Sequence, residues 1–108
     1  MICSVGPESF EQEVIAEKKP VLLLIMPQDS EFPAQVELLE KIERSHGPEW
    51  KVGLVQDYFI EKIRSKYQIG GTPTFLVLVE GKEKGRLLGL ATWETLTSFI
   101  MKCHDPFR

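Results

Sequence analysis

Sulfur and imidazole groups are the most reactive side chains of this sequence, and their spacing favours no known reaction. Cys3 and Cys103 stand near opposite ends of the 108 residues, so they form neither a CxxC pair nor a disulfide framework. His46 and His104 are also far apart, and the adjacent Cys103–His104 pair is only a weak metal signal. We therefore predict no metal, no cofactor and two free thiols, unless folding brings the two cysteine Cα atoms within ~7 Å.

Ser30 is the next candidate, because a serine hydroxyl becomes a nucleophile when a base lies beside it. No His or Lys occurs in the surrounding segment 27–33. The serine directly precedes an amphipathic stretch and stands between Asp29 and Glu31, which favours the N-cap of a helix with acidic neighbours at its positive end. We predict no catalytic residue here.

The composition is that of a globular protein, with 43% hydrophobic and 27% charged residues and a net charge of −3. Lys and Arg are not clustered, so neither nucleic acid nor an anionic membrane is expected as a partner. The longest apolar run, Val21–Met26, is far shorter than the ~20 residues of a membrane span. Residues 1–6 have no signal-peptide character, so the expected location is cytoplasmic. The length predicts a single domain over residues 1–108.

Apolar periodicity predicts helices and strands in alternation. Helices are expected from Pro7 to about Lys18, after the loop 27–33, from Asp57 to Gly70-Gly71, and after a Thr92 cap. Strands are expected at Val21–Met26, Trp50–Gln56, Thr74–Val79 and Glu83–Gly89, with a further short strand at Ile2–Val5. The β-α-β order implies parallel strands, and the last two strands form an antiparallel hairpin. The predicted fold class is therefore α/β, a central mixed β-sheet with helices on both faces.

Four stretches, in this order, resemble the thioredoxin family over about residues 9–102. They are Lys19–Leu22, Lys66–Thr74, Phe75–Gly81 and Leu88–Leu90. The resemblance implies a thioredoxin-like fold with Pro73 as a cis-proline, a bond geometry seen in about 5–6% of X-Pro bonds. Family members use the backbone before this proline to hold an extended peptide, and Thr72 keeps both its N–H and its C=O. Two interpretations stay open, in which Pro73 only shapes the strand entry or also forms part of a binding site.

The family's WCGPC-type motif has no counterpart in this sequence. Counting from Lys19-Pro20, the motif falls on Ser30–Pro33; counting back from the helical stripe, it falls on Asp29–Phe32. Neither register contains a cysteine, whereas dithiol–disulfide exchange needs an activated thiolate and a second, resolving thiol. The resemblance therefore implies a redox-inactive, non-catalytic protein.

We expect a protein- or peptide-binding or adaptor module that is not an enzyme. Its partner would be an extended segment of another protein, or a second copy of the chain meeting it through a sheet edge or Phe32. The alternative is a thiol–disulfide oxidoreductase-related protein that contributes to redox homeostasis through Cys3, Cys103 or a partner's cysteine. Phe32 and Trp93 are each open to two interpretations, contact with a partner or packing at a helix start. The expected groove consists of Gln28, Asp29, Ser30, Glu31, Phe32, Pro33, Gly71, Thr72, Pro73, Leu88, Gly89 and Leu90.

Overall fold

The apolar runs of the sequence form the strands of one mixed sheet, which a computed structural model describes together with its helices for residues 2–104. The strands are β1 (Cys3–Val5), β2 (Val21–Ile25), β3 (Lys51–Val55), β4 (Thr74–Val79) and β5 (Lys82–Leu88). The helical segments are a π-helical turn (Glu11–Ile15), α1 (Phe32–His46), a 3-10 turn (Asp57–Phe59) that leads into α2 (Ile60–Tyr67), and α3 (Trp93–Cys103). The architecture is α/β.

The strand order across the sheet is β1-β3-β2-β4-β5. β1 and β2 both run parallel to β3, whereas β4 is antiparallel to β2 and to β5. The predicted parallel unit and the predicted final hairpin are both confirmed. Because β4 reverses direction, its first residue, Thr74, lies opposite Ile25, the last residue of β2. The carboxyl end of β2, the start of β4 and the end of β5 therefore meet at one edge of the sheet.

Both faces of the sheet are covered, which explains why every residue of β2 is apolar and buried. Leu22 and Leu24 belong to a core cluster with α1 and α3, to which Leu39 and Ile100 contribute fully buried side chains. The alternate β2 positions 21, 23 and 25 point to the other face. There they form a second cluster with the π-helical turn, the 3-10 turn and α2. Continuous apolar character rather than alternation is what a strand buried on both faces requires.

The predicted element order is confirmed, including the short first strand, but three helix boundaries were wrong. The first helix is one π-helical turn, closed by the Ala16 N–H on the Glu11 carbonyl at 2.8 Å, and not a helix from Pro7 to Lys18. Asp57 does not cap a helix but begins the 3-10 turn. α2 ends at Tyr67 on Gln68, which itself adopts a left-handed φ of 55°, so Gly70-Gly71 is not its terminus. The Thr92 cap of α3 is confirmed, since its hydroxyl accepts the Thr95 N–H.

Within residues 2–104, no helix has both the length and the apolar character needed to cross a bilayer.

Candidate functional site

Three segments converge at the sheet edge where β2 ends, and they contain all the predicted groove residues. Ile25 pairs with Thr74, and Thr74 pairs with Leu88 at the end of β5. The Gly89 N–H then donates to the Pro73 carbonyl at 2.9 Å. The segments 26–33, 68–73 and 88–91 are thereby neighbours. We call the surface that these three segments form at this end of the sheet the convergence edge.

Segment 26–33 leads from β2 into α1, and it corrects the predicted role of Ser30. The N-cap position is Glu31, without a side-chain capping bond, and α1 starts at Phe32 with Pro33 in its first turn. Asp29, not Ser30, organises the turn, because its Oδ1 accepts the Glu31 N–H at 2.9 Å. Proline has no N–H to satisfy, so the first turn of α1 needs one side-chain acceptor fewer than a helix start without proline.

The polar residues of this segment face solvent, whereas its aromatic residue packs on the core. Residues 28–31 are exposed, as is Pro33. Phe32 is half-buried and packs on the cluster formed by α1, α3 and the sheet. Trp93 packs on the same cluster as the first residue of α3, with its ring centroid 6.4 Å from that of His46. Both aromatic side chains therefore pack on the core at a helix start and remain partly exposed.

Segment 68–73 has no regular structure, and two arginines and a threonine fix its backbone. Arg64 donates to the Ile69 carbonyl at 3.3 Å and to the Gly70 carbonyl at 2.9 Å. The Thr74 hydroxyl donates to the Gly71 carbonyl at 2.8 Å. These bonds satisfy carbonyl groups just before Thr72, whose peptide bond to Pro73 is cis, as the resemblance implied.

Arg86 ties the start of this segment to β5. Its guanidinium donates to the Tyr67 and Gln68 carbonyls at 2.7 and 3.1 Å, and it forms two 2.6 Å bonds with Glu83. The hydrogen bonds from Arg86 hold the pKa of the Glu83 carboxyl below its ordinary value. Arg64 and Arg86 could not be identified from the sequence, because hydrogen bonds from a long side chain to backbone carbonyls leave no sequence pattern.

Thr72 is exposed, and its backbone polar groups are free within residues 2–104. No backbone or side-chain hydrogen bond involves its N–H or its C=O there. Main-chain groups beside a sheet are normally paired with another strand, a side chain or water. Thr72 therefore offers one donor and one acceptor next to the end of β4, in the place where a further extended chain could pair.

Two large apolar side chains stand exposed beside Thr72. Leu88 is 67% exposed and Leu90 is 52% exposed, and they account for two of the four large hydrophobic residues that are exposed within residues 2–104. Gly89 between them has a φ of +89°, a conformation that favours glycine, and this turns the chain from β5 toward Ala91. A single exposed leucine is ordinary, but two next to unpaired backbone mark a candidate contact surface.

A cavity of about 390 Å³ opens beside Thr72, and most of its lining was missed. Pro27 and Thr72 come from the predicted loops. The remaining walls come from α2 and the 3-10 turn, for which the sequence predicted a helix but no part in the groove. They are Asp57, Ile60, Glu61 and Arg64.

Gln35 connects α1 to the segment after β5. Its amide Nε2 donates to the Ala91 carbonyl at 3.2 Å, and its Oε1 accepts the Ala91 N–H at 3.0 Å. The side chain is only 6% exposed. Its position in the sequence indicates a buried side chain, since Gln35 lies four residues before Leu39 and so on the same helix face. A glutamine on an apolar face has to find partners inside the protein.

Neither cysteine reaches the convergence edge, and both are free thiols. Cys3 lies on β1, three interstrand spacings from β4, which is about 14 Å. Cys103 lies against Gly85, where an added Cβ would be 2.6 Å from its Sγ. Gly85 pairs with Val77, four residues or about 13 Å along the strand from Pro73.

Burial raises the pKa of the Cys103 thiol, and burial together with the nearby Glu13 carboxylate raises the pKa of the Cys3 thiol. Because the thiolate is the reactive form, a raised pKa leaves less of it at neutral pH. We expect both thiols to react with iodoacetamide at pH 7.5 several-fold more slowly than free N-acetylcysteine.

Mass spectrometry of the single variants Cys3→Ser and Cys103→Ser over time would give the rate of each remaining thiol. Alkylation faster than that of N-acetylcysteine would contradict the expected environment. Such a result would make that cysteine a candidate redox group.

Within the described part of the chain, no group of three or more His, Cys, Asp or Glu side chains could hold a metal ion. Comparison of the sequence with protein-family models and with curated proteins gave no match to either.

Proposed function

We propose that this chain is a thioredoxin-like, redox-inactive binding module that holds an extended segment of another protein at its convergence edge. The family assignment is supported by the strand order β1-β3-β2-β4-β5 and by the cis bond before Pro73 at the entry to β4. The four sequence stretches that resemble the family support it further. The observation that carries the binding function is the free backbone of Thr72 beside exposed Leu88.

An extended peptide satisfies both features of this edge at once. Its main chain can donate to the Thr72 carbonyl and accept from the Thr72 N–H, as in strand addition to a sheet. Its side chains then alternate in direction, so every second one can contact apolar surface on the same side. Leu88, Leu90 and Pro27 supply that surface. Backbone pairing gives affinity, and the apolar contacts select the bound sequence.

The absence of cysteine from residues 26–33 supports a function without dithiol exchange. The alternative route through Cys3 or Cys103 has no support in their positions, since both lie more than 10 Å from Thr72 by the strand spacings given above. Two free thiols also suit a reducing compartment, and we place the function in the cytoplasm.

Selection from a phage library of random nine-residue peptides tests this function, since the natural partner is unidentified. We expect enrichment of peptides that bind with micromolar affinity. On titration of a ¹⁵N-labelled protein, amide shifts should concentrate in residues 27–33, 71–72 and 88–91. Failure to enrich any peptide, or shifts confined to β1, would contradict the proposal.

Two further measurements address the competing functions. In an insulin-reduction assay with dithiothreitol we expect no rate above the uncatalysed background, and turnover would contradict the redox-inactive assignment. In light scattering we expect the mass of a monomer, in which no second copy of the chain occupies the groove. A dimer that the selected peptide cannot dissociate would instead favour a second copy of the chain as the occupant.

A further inference from the structure

The cavity beside Thr72 carries an excess of negative charge. Its six lining residues include two carboxylates, Asp57 and Glu61, and one cation, Arg64. Glu61 is paired with Arg64 at 3.0 Å. Within residues 2–104, Asp57 forms no ion pair or side-chain hydrogen bond. One carboxylate at the cavity is therefore uncompensated.

Arg64 does not make the cavity a receptor for acidic groups. Its Nε and NH2 donate to the Ile69 and Gly70 carbonyls, and its NH1 donates to Glu61. The flat fork that would grip a carboxylate or phosphate is thus already engaged by the protein. Its role is to hold the backbone that leads to Thr72.

Arg64 is the one cation among the six residues that line the cavity, and Lys62 and Lys66 lie on the same helix without being among them. Residues 21–40, which include Pro27, have no Lys or Arg but four carboxylates, among them exposed Asp29 and Glu31 at the convergence edge. Residues 52–61 have no Lys or Arg either, and neither does the segment 67–81 that includes Thr72. Of the carboxylates in these segments, Asp29 and Glu31 lie at the convergence edge, and Asp57 and Glu61 line its cavity.

We propose that this cavity receives a lysine or arginine side chain of the extended segment bound at Thr72. The inference rests on the proposed peptide-binding function and adds the chemical class of the partner. The methylene stem of a basic residue would pack on Pro27 and Ile60, and its charged end would reach the carboxylates of Asp57 and Glu61. The partner segment is accordingly basic as well as apolar.

The experiment compares two synthetic peptides that differ at one position. The first is the tightest peptide from the phage selection, and the second has its basic residue replaced by norleucine, which keeps the stem and removes the charge. Both are titrated by fluorescence anisotropy into the wild type, into the double variant Asp57→Asn/Glu61→Gln, and into a control, Glu40→Gln. Glu40 is an exposed carboxylate on α1 that does not line the cavity.

We expect the double variant to bind the basic peptide about 5- to 10-fold more weakly than the wild type, and the norleucine peptide with unchanged affinity. The control should bind both as the wild type does. Raising NaCl from 50 to 500 mM should remove most of the difference, because partly exposed charges are screened. Circular dichroism of each variant would verify that it is folded.

The possible failures of the two proposals are distinguishable. Selected peptides without a preferred basic position, or with an acidic one, would overturn the basic-partner inference and leave the binding function standing. Equal weakening of both peptides by the double variant would overturn the inference in the same way. If no peptide is selected at all, the binding function itself fails and the inference fails with it.

Discussion

Replacing Gln35 by leucine is expected to lower the free energy of unfolding by about 2–3 kcal/mol. The substitution keeps the side-chain size but removes both hydrogen bonds to Ala91. The Ala91 N–H and C=O are then left without partners in a buried environment, at a cost of roughly 1–3 kcal/mol each. The additional apolar burial of leucine offsets part of this cost. Since small domains have only about 5–15 kcal/mol of stability in total, the loss should be conspicuous.

Urea denaturation followed by tryptophan fluorescence provides the measurement, and a lower midpoint at unchanged slope would show a loss of stability without a change in the unfolded state. Gln12→Leu is the matched control, because Gln12 is exposed in the π-helical turn and has no side-chain hydrogen bond within residues 2–104. It should fall within about 0.5 kcal/mol of the wild type. Equal stability of the Gln35 and Gln12 variants would show that the contact with Ala91 contributes little.

The same residue shows which part of the structure the sequence could predict. Strand β4 was predicted with the bounds that it has, and β2 within one residue, because long apolar runs have no alternative to burial between two layers. Gln35 could be placed on the buried face of α1 by its spacing from Leu39. Its partner could not be identified, since Ala91 is 56 residues away in the chain and contributes only backbone atoms.

The residues that cap the helices were the least predictable feature of the fold. Ser30 and Asp57 were each expected to cap a helix, because short polar side chains favour that position. In the structure, Glu31 occupies the cap position of α1, Asp29 accepts the Glu31 N–H, and Pro33 brings no N–H to the first turn. Which of several adjacent polar residues becomes the cap depends on where the preceding strand ends, and the tertiary structure determines that position.

The loops of the candidate site were predicted from the sequence, whereas the cavity walls formed by α2 and the 3-10 turn were not. The three converging segments follow from the order of elements together with the resemblance, because the ends of β2 and β5 must lie beside the start of β4. The α2 side of the cavity required knowledge of how that helix is rotated on the sheet. Hydrophobic spacing identifies the face that packs inward, as Ile63 does, but says less about residues such as Asp57 and Glu61 at the margin of that face.

The double variant Leu88→Ser/Leu90→Ser is expected to weaken binding of the selected peptide by about 100-fold. Each leucine is more than half exposed in the free protein, so a bound peptide can remove a large apolar area from water at both positions. Burying a leucine side chain contributes about 1.5–3 kcal/mol, so the partial burial of each corresponds to roughly a tenfold change in Kd. Isothermal titration calorimetry would give Kd, and the heat-capacity change on binding should become less negative in the variant.

The stability of the double variant should stay close to that of the wild type, because exposed side chains contribute little to the folded core. Met101→Ser is the matched control for apolar loss elsewhere, since Met101 is 41% exposed on α3. It should leave Kd unchanged. A double variant that binds as tightly as the wild type would show that the peptide does not use this edge. Equal losses in the double variant and in Met101→Ser would point instead to a non-specific hydrophobic contribution spread over the surface.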